Sequence, residues 1–323
     1  MHRISVLWVI ALALPAIAAG AAKNVKLSLV AYSTPKDAYS KLIPAFQKTA
    51  AGNDVTFTQS YGASGDQARA VATGLPADVV DLSLAPDVTL LVQKGIVSPN
   101  WDKNKWHGIV TKSVVVFVVR AGNPKHIRTW NDLLKSGVQV ITPNPFTSGG
   151  ARWNIMAAYG GALRTGKSPK QAIAYLTQLF KKHVVAQPSS AREALQTFLA
   201  GRGDVLLSYE NEAILAKQKG QSVNWVAPKA TILIENPIAV TKTTKHAAEA
   251  NAFVKFLYTK RAQTIFAQTG YRPVLKSVAK NAGFTNPKQL FTIGYVGGWA
   301  KVDKKFFDPN NSVVATIERG LGG

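Results

Sequence analysis

VITPNPFTSGGARWN, at residues 140–154, carries a strand read from Val138 to Ile141 through a Pro- and Asn-containing turn into a helix that opens at Ser148. The same grammar occurs twice more. SYGASGDQAR, residues 60–69, follows a strand at Val55 to Gln59 and opens a helix near Ser64, and QPSSAR, residues 187–192, follows a strand at Val184 to Ala186 and leads into a helix carrying Ala191, Leu195, Phe198 and Leu199. Each time a small or hydroxyl residue stands where a strand ends and a helix begins. The first N–H groups of a helix have no intrahelical partner, and its aligned peptide dipoles leave partial positive charge there, so all three segments read as anion seats. Glycine lets the backbone approach closely, and serine hydroxyls add donors. The competing explanation is that Ser64, Ser148 and Ser190 are ordinary N-caps, worth about 1 kcal/mol each to their helices.

Working outward, β-branched runs alternate with helical periodicity along most of the chain, which predicts an α/β fold with mainly parallel strands. Asn24 to Ala31 reads as the first strand, and the helix after it places Tyr39, Leu42, Ile43 and Phe46 on one face. A strand follows at Asp78 to Leu84. Val114 to Val119 is continuously apolar, as expected of a strand buried on both faces. A short helix is read at Trp130 to Leu134, a helix near Ser168 to Phe180 and a strand at Asp204 to Ser208. Ile232 to Thr241 reads as a second strand crossing between two halves, and a later helix carries Ala248, Ala252, Phe253, Phe256 and Leu257 on one stripe. No flexible tether separates the halves, so the chain must cross between them directly. That predicts a hinged pair with a cleft: lobe I from residues 22–112 plus 236–323, and lobe II from residues 113–235.

The chain has 323 residues, 46% of them apolar and 17% charged, enough for a substantial core and against disorder. His2 and Arg3, an apolar run from Ile4 to Ala18 and small residues to Ala21 read as a secretory signal peptide, residues 1–21. There is no cysteine, hence neither a thiol for a lipid anchor nor a disulfide framework, and the mature protein is expected to be soluble outside the cytoplasm. The formal charge is +22, or +21 without Arg3 of the leader. The lysines are scattered rather than packed into a basic block with interleaved aromatics, which argues against nucleic acid as a partner.

The residues quoted above also carry a resemblance. From Leu27 to about Phe307 the chain resembles the periplasmic sulfate-binding proteins of ABC importers, most specifically at Gln59 to Arg69, at PNP-x-TSGGARWN, at GDVLLSYENEA (residues 203–213), at Tyr271-Arg272-Pro273 and at LFTIGYVGGWAK (residues 290–301). The resemblance implies a two-lobed type II periplasmic binding fold that closes on dehydrated sulfate held by neutral donors. It assigns ligand-binding roles to Ser33, Ser64, Ser148, Gly149, Gly150, Ala191 and Tyr209, and a bracing role behind them to Arg69, Arg152 and Arg192. Two positions depart from the better known members: Tyr209 stands where they have a tryptophan whose indole donates, and Ser33 where an aspartate donates through its amide. The implied partners are sulfate and the permease of an ABC importer, with a monomeric, periplasmic protein, no cofactor and no metal. Thiosulfate, molybdate and phosphate are the alternative ligands. An all-donor site suits fully ionised sulfate, whereas hydrogen phosphate brings a proton that needs an acceptor, and a buried unpaired donor costs about 1–3 kcal/mol.

Catalysis is the rival class. A nucleophile elbow needs G-x-S-x-G, but Gly62-Ala63-Ser64-Gly65-Asp66 ends in an acid, and the five histidines are dispersed, so a secreted serine hydrolase is disfavoured. Glu210 and Glu212 are candidate partners for the three arginines, Tyr271-Arg272-Pro273 a candidate anchor near the hinge, and Trp299 a packing residue.

Overall fold

The structure, a computed structural model, describes residues 24–284 and 286–321, and the expected leader lies outside them. Among the described residues, eleven strands form one continuous sheet flanked by helices. They are β1 (Val25–Tyr32), β2 (Val55–Gly62), β3 (Val79–Asp81), β4 (Ile109–Arg120), β5 (Val140–Ile141), β6 (Val184–Ala186), β7 (Val205–Tyr209), β8 (Val223–Val226), β9 (Ala230–Val240), β10 (Arg272–Pro273) and β11 (Gln289–Phe291). The main path runs β2-β1-β3-β9-β4-β7-β5-β6. Pairing is parallel in the two outer parts, β2-β1-β3 and β7-β5-β6, and antiparallel where β9 and β4 join them.

The joining pair explains the architecture. β4 aligns its first half, Ile109 to Val114, with Pro237 to Leu233 of β9, and its second half, Val115 to Val119, with Tyr209 to Val205 of β7. β9 in turn leaves β4 and pairs Ile238 to Val240 with Asp81 to Val79 of β3. The two strands thus change partners at opposite ends of the stretch they share, β4 after Val114, where β7 and β8 take over, and β9 after Pro237, where β3 does. Val114 to Val119 are almost wholly buried, as the unbroken apolar run requires.

The helices follow from amphipathic stripes. In α1 (Lys36–Gln47), Tyr39, Leu42 and Phe46 are fully buried, and Phe46 packs on Phe253 and Phe256 of α8 (Ala247–Leu257) at 5.1 and 5.5 Å between ring centroids. The buried stripe of α8 is Ala250, Phe253, Phe256 and Leu257 rather than the expected set, because Ala248 faces solvent and Ala252 is half-buried. The expected strand from Asp78 to Leu84 stops at Asp81. Ser83 and Leu84 instead lead into α3 (Ala85–Gln93), whose start carries Pro86 and Asp87. The remaining helices that matter for the site are α2 (Ser64–Ala72), α4 (Gly149–Arg164), α5 (Pro169–Lys182), α6 (Ala191–Leu199), α7 (Glu210–Gln218) and α9 (Lys260–Gln268). No helix among the described residues is long and apolar enough to cross a membrane.

The tail is tied back to the crossing strands. Arg272 and Pro273 pair with Lys112 and Thr111 of β4, and Arg272 also bonds Glu210 at 2.7 Å, while Tyr271 is buried with its hydroxyl 2.7 Å from Thr34 Oγ1. Trp299 packs against Trp153, with centroids 4.7 Å apart.

Candidate functional site

α2, α4, α6 and α7 all begin at the ends of strands β2, β5, β6 and β7 or in the turns after them, and their starts come together around Ser83, two residues past β3. Gly65 N–H donates to Thr147 O at 2.9 Å, which ties the start of α2 to the turn before α4. A methyl group placed on Gly150 would stand 2.9 Å from the Tyr209 ring, 3.3 Å from Ala191 Cβ and 3.4 Å from Ser148 Oγ. One placed on Gly149 would stand 2.5 Å from Ser83 Oγ. Ser148, Gly149, Gly150, Ala191 and Tyr209 therefore share one buried place, joined to Ser64 through Ser83. Ser33, at the end of β1, is connected differently: its Oγ accepts the Arg192 amide at 3.3 Å.

Capping and binding make different demands on these serines. Ser190 is a true N-cap, its Oγ accepting from the Glu193 amide. Ser148 occupies the N-cap position of α4 but makes no side-chain cap bond, and Ser64 is the first residue of α2, with Ala63 as its N-cap. The Ser148 hydroxyl and the amides of Gly149, Gly150 and Ala191 have no hydrogen-bond partner among the described residues. The residues that carry them are buried, and these four donors, unspent within the protein, form a ready set at the positive ends of α4 and α6.

The Ser64 hydroxyl is engaged elsewhere. It accepts from Ser83 N–H at 2.8 Å and donates to Asp87 at 2.5 Å. Asp87 is buried, and burial raises its carboxyl above the usual range against the opposing pull of Arg152, Ser64 and Arg69. A carboxylate thus adjoins a site expected to hold donors alone, and Ser64 must turn from Asp87 before it can donate to an anion.

None of the three arginines is spare. Arg69 binds Asp66 and, at 3.1 Å, Phe146 O; Arg152 binds Pro145 O at 3.1 Å and Asp303 at 2.8 Å. Arg192 grips both oxygens of Glu212 at 2.8 and 2.9 Å, Asp37 at 2.8 Å and Thr34 O at 3.0 Å. Of the two glutamates, Glu212 meets one of these arginines, whereas Glu210 pairs with Arg272.

Sequence reasoning missed Ser83 and Asp87 because the strand was read through to Leu84. The available signal was Pro86-Asp87 followed by Val88 and Leu91, a helix start with a buried stripe. Ser83 also fixes what Gly149 can become. In Gly149→Ala the new methyl would lie 2.6 Å from Ser83 Cβ and 2.7 Å from Leu84 Cδ2, inside contact distance. We expect this variant to lose about 1–3 kcal/mol of stability through overpacking, measured by denaturant unfolding; a loss of a few tenths would show that the loop yields freely.

Unpaired amides gathered at helix starts beside two crossing strands are the features of an extracellular solute-binding protein. The chain belongs to that family: the model of the bacterial extracellular solute-binding proteins matches residues 27–272. It is 44% identical over 299 residues to the sulfate-binding protein of Synechococcus elongatus, covering 89% of this chain and 85% of the relative. It superimposes on the sulfate-binding protein SubI from Mycobacterium tuberculosis H37Rv with a TM-score of 0.86 and 46% identity, covering 88% of this chain and 100% of SubI. The thiosulfate-binding protein of Pseudomonas aeruginosa is more distant, 35% identical over 292 residues, covering 86% of this chain and 88% of its own. The fold is the type II periplasmic binding protein fold, and the relatives are binding proteins rather than enzymes.

Proposed function

We propose that this protein captures sulfate between two lobes and delivers it to the membrane permease of an ABC importer. The observation that carries the reading is the set of unpartnered donors on buried residues, the Ser148 hydroxyl and the amides of Gly149, Gly150 and Ala191, at two helix starts whose neighbouring arginines are all engaged by carboxylates and carbonyls. A dianion there exchanges its water shell for neutral dipoles and meets no unpaired cation that would compete for position. Ser64, Ser33 and Tyr209 complete the proposed set, with Arg69, Arg152 and Arg192 bracing the loops.

The lobes are residues 22–112 plus 236–323 and residues 113–235, a division supported by the partner exchange of β4 and β9 near its boundaries. The mature protein acts as a periplasmic monomer after removal of its leader. Thiosulfate is the second reading, because Tyr209 presents a phenol rather than a larger indole to the ligand.

Calorimetric titration of refolded, anion-free protein with sulfate, thiosulfate, phosphate and molybdate tests the proposal. Sulfate should bind, with phosphate at least about tenfold weaker, and Ser148→Ala should weaken sulfate binding by about 10- to 100-fold, the value of a hydrogen bond to a charged group. Absence of sulfate binding, or phosphate bound as tightly, would overturn it.

A further inference from the structure

We propose that Ser83 determines ligand specificity by positioning the Tyr209 hydroxyl; this rests on the reading of the site as an oxyanion seat. Ser83 Oγ and Tyr209 OH lie 2.6 Å apart, and both residues are 1% exposed. Two hydroxyls bring two protons, and their mutual hydrogen bond uses one. The second proton must point elsewhere, and a buried donor does not stay unpaired without cost. Gly149 lies against Ser83 Oγ and Gly150 against the Tyr209 ring, so the pair borders the same unpartnered amides that form the donor set. The spare proton is therefore one more donor for an anion seated there.

The backbone of Ser83 is held as firmly as its side chain. Its N–H donates to Ser64 Oγ, and its carbonyl accepts from Trp153 Nε1 at 2.9 Å and from Asn236 Nδ2 at 3.0 Å. One residue thus touches α2, α4 and β9, and through Tyr209 the end of β7. Ser83 belongs to the β3 side of the sheet and Tyr209 to the β7 side, so their bond also links the two halves of the chain. A phenol reaches a fixed point only if something holds its oxygen, and Ser83 does so here.

The chemistry predicts which ligand notices the loss. Each terminal oxygen of sulfate accepts hydrogen bonds well, whereas the terminal sulfur of thiosulfate is larger and a weaker acceptor. Removing a donor aimed at that corner should cost sulfate more than thiosulfate. The test is titration of the full mature chain, Ser83→Ala and Tyr209→Phe with both anions, alongside thermal unfolding of each variant. We expect each substitution to weaken sulfate binding about tenfold and thiosulfate binding by no more than about threefold. A purely structural role would lower the melting temperature and leave the ratio of affinities unchanged, and that result overturns the proposal. Should Ser83→Ala fail to fold, Tyr209→Phe breaks the same pair from the other side. If the parent chain binds neither anion, the oxyanion reading itself fails, an outcome distinct from an unchanged ratio in variants that bind.

Discussion

Arg192→Ala is expected to destabilise the protein by about 3–5 kcal/mol, the range for removing one partner of a buried ion pair. Arg192 joins α6 to α7 through Glu212, to α1 through Asp37 and to the turn after β1 through Thr34 O. Burial opposes its charge, but the carboxylates of Glu212 and Asp37 outweigh burial and hold the guanidinium above its ordinary value. The Glu212 side chain is 0% exposed, so truncating Arg192 would strand a carboxylate away from water. The double variant Arg192→Ala/Glu212→Gln removes that stranded charge and should recover a large part of the loss. Chemical denaturation of both variants checks this; a single variant within about 1 kcal/mol of the parent, the range for exposed pairs, would mean that water reaches Glu212.

A second large effect should appear on raising the pH. Asp81, 1% exposed, accepts from the Tyr39 hydroxyl at 2.7 Å through one oxygen, while Oδ1 has no partner among the described residues. Burial raises its carboxyl from 3.8 to about 7, with the Tyr39 bond opposing. Because the folded state holds this proton more tightly than the unfolded chain, the folded state binds more protons between about pH 4 and pH 7, and stability falls as pH rises through that window. The difference amounts to about 4 kcal/mol at most. Asp81→Asn carries no titrating proton there, so its stability relative to the parent should improve by up to about that amount between pH 4 and pH 8. Parallel unfolding curves at the two pH values measure the difference, and a constant offset would show that Asp81 is already ionised in the folded protein.

Residues 140–154 made the strand, turn and helix around Ser148 legible because local chemistry dictates them: β-branched residues, prolines and a small-residue helix start. The same holds for the Val114 to Val119 run and for the stripe of α1. Where the reading failed, a distant segment made the decision. DVVDLSL looks like one strand, yet its pairing ends at Asp81, where the partners Ala31 and Ile238 lie 50 or more residues away in sequence. Ser83 and Asp87 acquired their positions from that ending. Glu212 was legible as a candidate partner for Arg192, whereas Asp37, which α1 brings from far along the chain, was not, because no local pattern joins the three. The α8 stripe was misplaced for a simpler reason: an alanine-rich face fits more than one rotation about the helix axis.

The place of β9 between β3 and β4 also bears on how the chain is made. While the ribosome works through the first two hundred residues, β1, β2 and β3 have an open side whose eventual neighbour has not been synthesised. The N-terminal half cannot be finished by its own residues. Completion waits for a contact spanning about 160 positions, which favours slow assembly and leaves a long interval in which the nascent polypeptide can be handled unfolded.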